Sequence, residues 1–205
     1  YLLRELAADI NSGHNVRSTV FVEARSSYRT EGPEEMRSVG EVEFVDVIAT
    51  ESATGNYGPG RAAAAIIGKA DLKLGDGVKL VLEALQAASP NRFRGIRHGV
   101  GWDPHPEVED REIQGCLSNE GYRAGARALS GMGLILETSM YFPQMPELAN
   151  FAKALPDLTI VLNHLGGLMR TCPYGSRDDE VMAQWKSGID AVGACPNIIM
   201  KIGGV

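Results

Sequence analysis

Thr159-Ile160-Val161-Leu162-Asn163-His164-Leu165-Gly166-Gly167 is the stretch on which the reading of this chain turns. An apolar, β-branched run ends in a histidine, and a pair of glycines follows almost at once. A strand buried on both faces of a parallel sheet reads as a continuous apolar run. Its C-terminal tip is where α/β barrels place their chemistry. A histidine there, beside glycines that let backbone and ligand come close, reads as a site residue. The competing reading is a strand-end histidine that only caps a loop.

Working outward, an apolar strand followed by an amphipathic segment recurs at intervals of about thirty residues, the size of one βα unit. The strands expected are Val16–Glu23, Ala63–Ala70, Arg94–Gly101, Gly133–Met140, Leu158–His164 and Ile198–Gly203. Helical periodicity predicts Tyr1–Ile10, Pro33–Thr50, Gly77–Ala88, Ser118–Leu129, Met145–Leu155 and Asp178–Val192. Val78, Val81, Leu82 and Leu85 share one face of the third of these, and Ser118 is the expected N-cap of the fourth. Strict alternation argues for a parallel sheet with right-handed crossovers. A doubly wound nucleotide fold would announce itself with a glycine-rich first turn, and neither GxGxxG nor GxxxxGK[ST] occurs. A closed (β/α)8 barrel needs eight strands. The chain opens in a helix with no strand before it and stops as a strand finishes, as a barrel would look without its first strand and everything after its seventh. The expectation is one partial TIM-like barrel domain over residues 1–205, covering about strands 2 to 7.

Composition narrows the function classes. The 205 residues are 44% hydrophobic and 22% charged with a net charge of −6, a balance that fills a globular core. That charge argues against nucleic-acid and anionic-membrane partners. No stretch is long and apolar enough to span a bilayer, and the opening residues read as a charged helix rather than a signal peptide. Cys116, Cys172 and Cys195 are odd in number and far apart, which points to neither a disulfide framework nor a zinc ribbon. A cytoplasmic setting is expected.

Polar groups gather at the strand tips: Glu23 and Arg25, then Arg97-His98 with Trp102-Asp103, then Glu137-Thr138, Asn163-His164 and Lys201. Charged groups facing a closed interior are costly unless paired or used. Taken singly, Glu23 and Glu137 read as partners of an arginine that hold strands in register, and Lys201 as a surface lysine. Arg97 and His98 point to opposite faces of a regular strand, so one of them faces the interior. His105, in Asp103-Pro104-His105-Pro106, reads as structural. Tyr28 and Tyr141, on loops after strands, are candidate pocket-lining residues. HExxH, GxSxG and paired-cysteine motifs do not occur, so zincin, serine-esterase and thiol chemistry drop out.

Thr19-Val20-Phe21-Val22-Glu23, Phe93-Arg94-Gly95-Ile96-Arg97-His98 with Trp102-Asp103, and Leu162-Asn163-His164-Leu165-Gly166-Gly167 together resemble the amidohydrolase-related family of barrel hydrolases. The branch they are most similar to contains sugar-lactone hydrolases, and the resemblance runs over essentially the whole chain. It implies a TIM-like barrel that activates water for attack on an ester, amide or similar carbonyl, with a divalent metal, zinc by preference. The family carries a His-x-His pair on strand one, histidines on strands five and six and an aspartate on strand eight. His164 matches the strand-six histidine, which makes it the expected catalytic residue and metal ligand. Glu137-Thr138-Ser139 stands where the strand-five histidine would be, a departure that bears against a two-metal site. Arg97, Glu23, Glu137, Tyr28 and Tyr141 are the expected substrate contacts. The partner implied is a small molecule, with a homo-oligomer open. Alternatives are a nonoxidative decarboxylase of the same family and a non-catalytic truncated barrel acting as an interaction subunit. In either of the hydrolase and subunit readings the 205 residues alone are expected to have little activity.

Overall fold

A computed structural model describes residues 2–109, 112–171 and 173–203, and these divide into two compact units. Tyr1, where the first predicted helix starts, and Cys172 lie outside the described residues.

The first unit holds residues up to Ala70 together with Lys79–Arg97. Its strands β1 (Ser18–Val22), β2 (Arg61–Lys69) and β3 (Phe93–Arg97) pair in parallel in chain order, Phe21 beside Ile66 and Gly68 beside Ile96. Helices α1 (Leu3–Ile10), α2 (Val39–Ala53) and α3 (Val78–Ala88) complete it. The predicted face of α3 is confirmed, with Val78, Val81, Leu82 and Leu85 all at 1% exposure or less. On α2, Val39, Val42, Val45 and Ala49 are buried at helical spacing. Gly68 lets that helix approach the sheet: a Cβ there would stand 3.1 Å from the Val42 side chain and 3.2 Å from the Phe93 ring.

The second unit holds Asp71–Val78 and the residues from His98 onward. Here β4 (Ile135–Thr138), β5 (Ile160–Leu162) and β6 (Ile198–Met200) pair in parallel, Leu136 beside Ile160 and Ile160 beside Ile198. Helices α4 (Glu120–Gly131), α5 (Met145–Ala154) and α6 (Asp178–Gly193) alternate with them. Leu129, Leu136, Met145, Phe151, Ile160 and Leu162 are fully buried and form the core. The N-cap of α4 is Asn119 rather than Ser118: the Asn119 carboxamide accepts the Tyr122 N–H at 3.0 Å, while Ser118 closes a 3-10 turn over Cys116–Ser118. Asn and Ser are near-equal caps, so the turn decides between them. All six expected strands are present; β2 starts two residues before its expected range, and the other five are shorter than theirs. With helices between successive parallel strands, the fold is that of a partial (β/α)8 barrel. No helix among the described residues is long and apolar enough to cross a membrane.

Candidate functional site

Chain direction puts the tips of β1 and β3 in the first unit. Glu23 follows β1 directly, its N–H donating to the Ile67 carbonyl at 2.8 Å. Behind it Glu41, on α2, is fully buried. Its Oε1 accepts from the Ala24 and Ser26 N–H groups at 3.0 and 2.7 Å and from the Ser26 hydroxyl. These bonds hold a loop in which Arg25 and Ser27 take left-handed backbone (φ 56° and 52°). The Oε2 atoms of Glu23 and Glu41 are buried and unpartnered. Tyr28 is close enough to feel both: burial first, then the Glu41 and Glu23 charges, push its hydroxyl up to about 12. Arg97 ends β3, half-buried, with Lys69 as its register partner.

In the second unit β5 runs straight into His164. Four consecutive residues, His164 to Gly167, have positive φ (52°, 51°, 75° and 68°). Left-handed backbone costs a non-glycine residue free energy, and the surroundings hold it here. The Leu165 N–H donates to the Lys201 carbonyl at 3.2 Å, and the Leu165 carbonyl accepts from the Trp185 indole at 2.8 Å. The glycines are required: a Cβ on Gly167 would collide with the Met140 carbonyl and one on Gly166 with the Met145 sulfur. The turn leaves His164 exposed, with Nδ1 3.3 Å from the Gly203 carbonyl. A carbonyl only accepts, so this contact is a hydrogen bond when Nδ1 carries the proton, and the neutral ring then has its lone pair on Nε2.

His164 lines a cleft of about 140 Å³ with Gly101, Ser139, Tyr141, Asn163 and Gly167. Gln144 fixes its rim: its Oε1 accepts from the Trp102 and Tyr141 N–H groups and its Nε2 donates to the Val100 carbonyl. The Tyr141 hydroxyl donates to the Glu109 carbonyl at 2.6 Å. Glu137 is buried on β4 and its Oε2 accepts from Lys201 Nζ at 2.5 Å. Lys201, read from sequence as a surface lysine, is thus the partner of a buried carboxylate. The structure therefore groups Glu23 with Tyr28, Tyr141 with His164, and Glu137 with Lys201.

His98 follows a different logic. It is buried, and its Nδ1 accepts the Leu72 N–H at 3.2 Å, so Nε2 carries the proton and faces Glu112 Oε2 at 3.3 Å. Glu112 also takes Lys73 Nζ on both oxygens, at 2.7 and 2.9 Å. His98, Glu112 and Cys116 bring ligand atoms within 4.8 Å of one another, a spacing that suits a metal ion. In the structure Glu112 holds Lys73 and faces His98 Nε2, and burial pushes the Cys116 thiol up to about 12, so a metal binding here would displace the lysine and take the thiol's proton. His164 turns Nδ1 to a backbone carbonyl, the kind of contact that also orients ligating histidines. Lys73 and Glu112 escape the sequence reading; Cys116 enters it only among the cysteines, and Asn163 only among the polar groups at the strand tips. The signal Asn163 left there is an amide set into an apolar run.

The amidohydrolase family profile matches residues 7–205. The chain belongs to the amidohydrolase family. An uncharacterized protein of Sinorhizobium fredii, y4mH, is 26% identical over 140 residues, which are 68% of this chain and 44% of that protein. A Burkholderia multivorans amidohydrolase crystallised with bound zinc superposes on the whole chain and on 59% of its own length, with a TM-score of 0.66 at 17% identity. An amidohydrolase structure from the same organism with bound HEPES gives 0.56 at 16% identity, over 92% of this chain and 69% of that one. Identities this low establish the shared fold. The amidohydrolase chain thus spans about half the length of the relatives it matches first.

Proposed function

We propose that this amidohydrolase activates water to open a lactone or similar cyclic ester at the cleft of the second unit. The setting of His164 carries the proposal. Its Nδ1–H is committed to the Gly203 carbonyl, so the neutral ring offers a lone pair at Nε2 beside a cleft at a strand tip. Such a nitrogen accepts the proton of a water attacking a carbonyl, or binds a metal. It donates to a developing oxyanion only as imidazolium, so the base or ligand role is the better supported. A divalent metal such as zinc, when bound, polarises the carbonyl, and His164 would hold it with ligands from outside these residues. Tyr141 and Ser139 shape the rim, and the Glu137–Lys201 pair keeps a buried carboxylate neutralised behind it. A decarboxylase is less well supported, because Glu137-Thr138-Ser139 leaves the family's strand-five position without an imidazole.

The test is turnover by the purified full-length protein that contains these residues, on a panel of aldono-1,4- and aldono-1,5-lactones, followed by acid release against a pH indicator. Saturable turnover of at least one lactone is expected, with open-chain esters slower. No lactone cleaved above the uncatalysed rate contradicts the proposal.

A further inference from the structure

Asn163 sits between β5 and the left-handed turn, and its residue exposure is 1%. Its backbone is pinned, the N–H donating to the Thr138 carbonyl at 2.9 Å and the carbonyl accepting from the Gly166 N–H at 3.0 Å. The side chain is not: both Oδ1 and Nδ2 are buried without a hydrogen-bond partner. A carboxamide has an acceptor oxygen and two N–H donors, and buried polar groups are paired with few exceptions. This exception lies in the wall of the cleft that His164 lines.

We propose that Asn163 determines the specificity of this cleft by pairing with a ligand hydroxyl that both donates to Oδ1 and accepts from Nδ2. The inference rests on the cleft being the substrate site of the lactone reading. A carboxylate accepts only, so it would satisfy Nδ2 and leave Oδ1 orphaned. It would also meet no lysine or arginine, since none lines the cleft. A hydroxyl, or two on adjacent carbons, satisfies both ends without bringing charge. Of the other polar groups of the wall, Tyr141 donates its hydroxyl to Glu109 and His164 faces Gly203 through Nδ1, while the Ser139 hydroxyl and His164 Nε2 stay open to the same ligand. Asn163 discriminates most sharply among them, because with a ligand lacking the hydroxyl its buried polar atoms stay unpaired.

The test uses protein labelled with 15N-asparagine, the Asn163 side-chain amide being identified by its loss in Asn163→Leu. The probes are a polyhydroxylated γ-lactam, the ring-amide analogue of an aldono-1,4-lactone, its mono-deoxy analogues, and succinate. The Asn163 amide is expected to shift saturably with the lactam and to stay put with succinate. Asn163→Leu should weaken the lactam by about tenfold or more while leaving one deoxy analogue within about threefold of wild type. Asn163→Asp, which keeps shape and acceptor but loses the donors, gives the same comparison if the leucine variant does not fold. An Asn163 signal unmoved at saturating lactam, no lactam binding at all, an amide that stays paired to a trapped water only, or equal weakening of every analogue overturns the inference. If the lactam shifts Asn163 while no lactone is turned over, the lactonase reading fails and the role of Asn163 stands.

Discussion

Two histidines of the second unit are set in opposite tautomers by what touches Nδ1. The Leu72 N–H donates to His98, which leaves its Nε2 protonated and bonded within the fold; the Gly203 carbonyl accepts from His164, which leaves its Nε2 bare. One ring is a structural member and the other is available for chemistry. The network around His98 also carries a pH signature. Burial alone pushes the Glu112 carboxyl up, but Lys73, the Ile113 N–H and His98 outweigh it and hold it below the ordinary value of 4.5. A carboxyl lower in the folded than the unfolded state adds stability above its unfolded value and loses it as pH falls through the folded one. Glu112→Gln is therefore expected to unfold more easily at pH 7 and to show a flatter acid limb below about pH 5 in denaturant titrations. An acid limb identical to wild type contradicts the pairing.

The turn His164–Gly167 is the element on which the cleft depends. Gly167→Ala adds a Cβ against the Met140 carbonyl at φ 68°. A loss of roughly 2–4 kcal/mol is expected in urea unfolding, from backbone strain plus the clash. Gly131→Ala, at the end of α4 with nothing within 4 Å of the new methyl, should be neutral or stabilise by up to about 1 kcal/mol; equal losses at the two positions would refute the steric account. The elements themselves were legible because apolar runs such as Thr159–Leu162 and faces such as Val78–Leu85 are written locally. The turn was legible only in its glycines. His164 and Leu165 take left-handed backbone that their residue types disfavour, and bonds to Lys201 and Trp185, far along the chain, hold them there. The partners of His98 were illegible for the same reason, since Leu72 and Glu112 reach it from loops with no periodic pattern. Asn163 was legible only as one polar group at a strand tip, because its missing partners show only in the fold.

At the scale of the molecule, 17% identity still carries the barrel pattern over the whole chain. Alternation of βα units tolerates replacement of most side chains so long as the apolar faces persist. Function tolerates less, and it concentrates at strand tips, where His164 and Tyr141 are shared between the sequence reading and the lining of the cleft. His105 provides the control: its N–H donates to Asp103 and its ring packs edge-on to Tyr174, which makes it a packing residue. The decisive measurement is kcat/KM of the full-length protein on the best lactone for wild type, His164→Asn and His105→Ala. A fall of more than tenfold, about 1.4 kcal/mol of barrier, is expected for His164→Asn, with His105→Ala within about threefold of wild type. A His164→Asn enzyme within tenfold of wild type would contradict the assignment of the site.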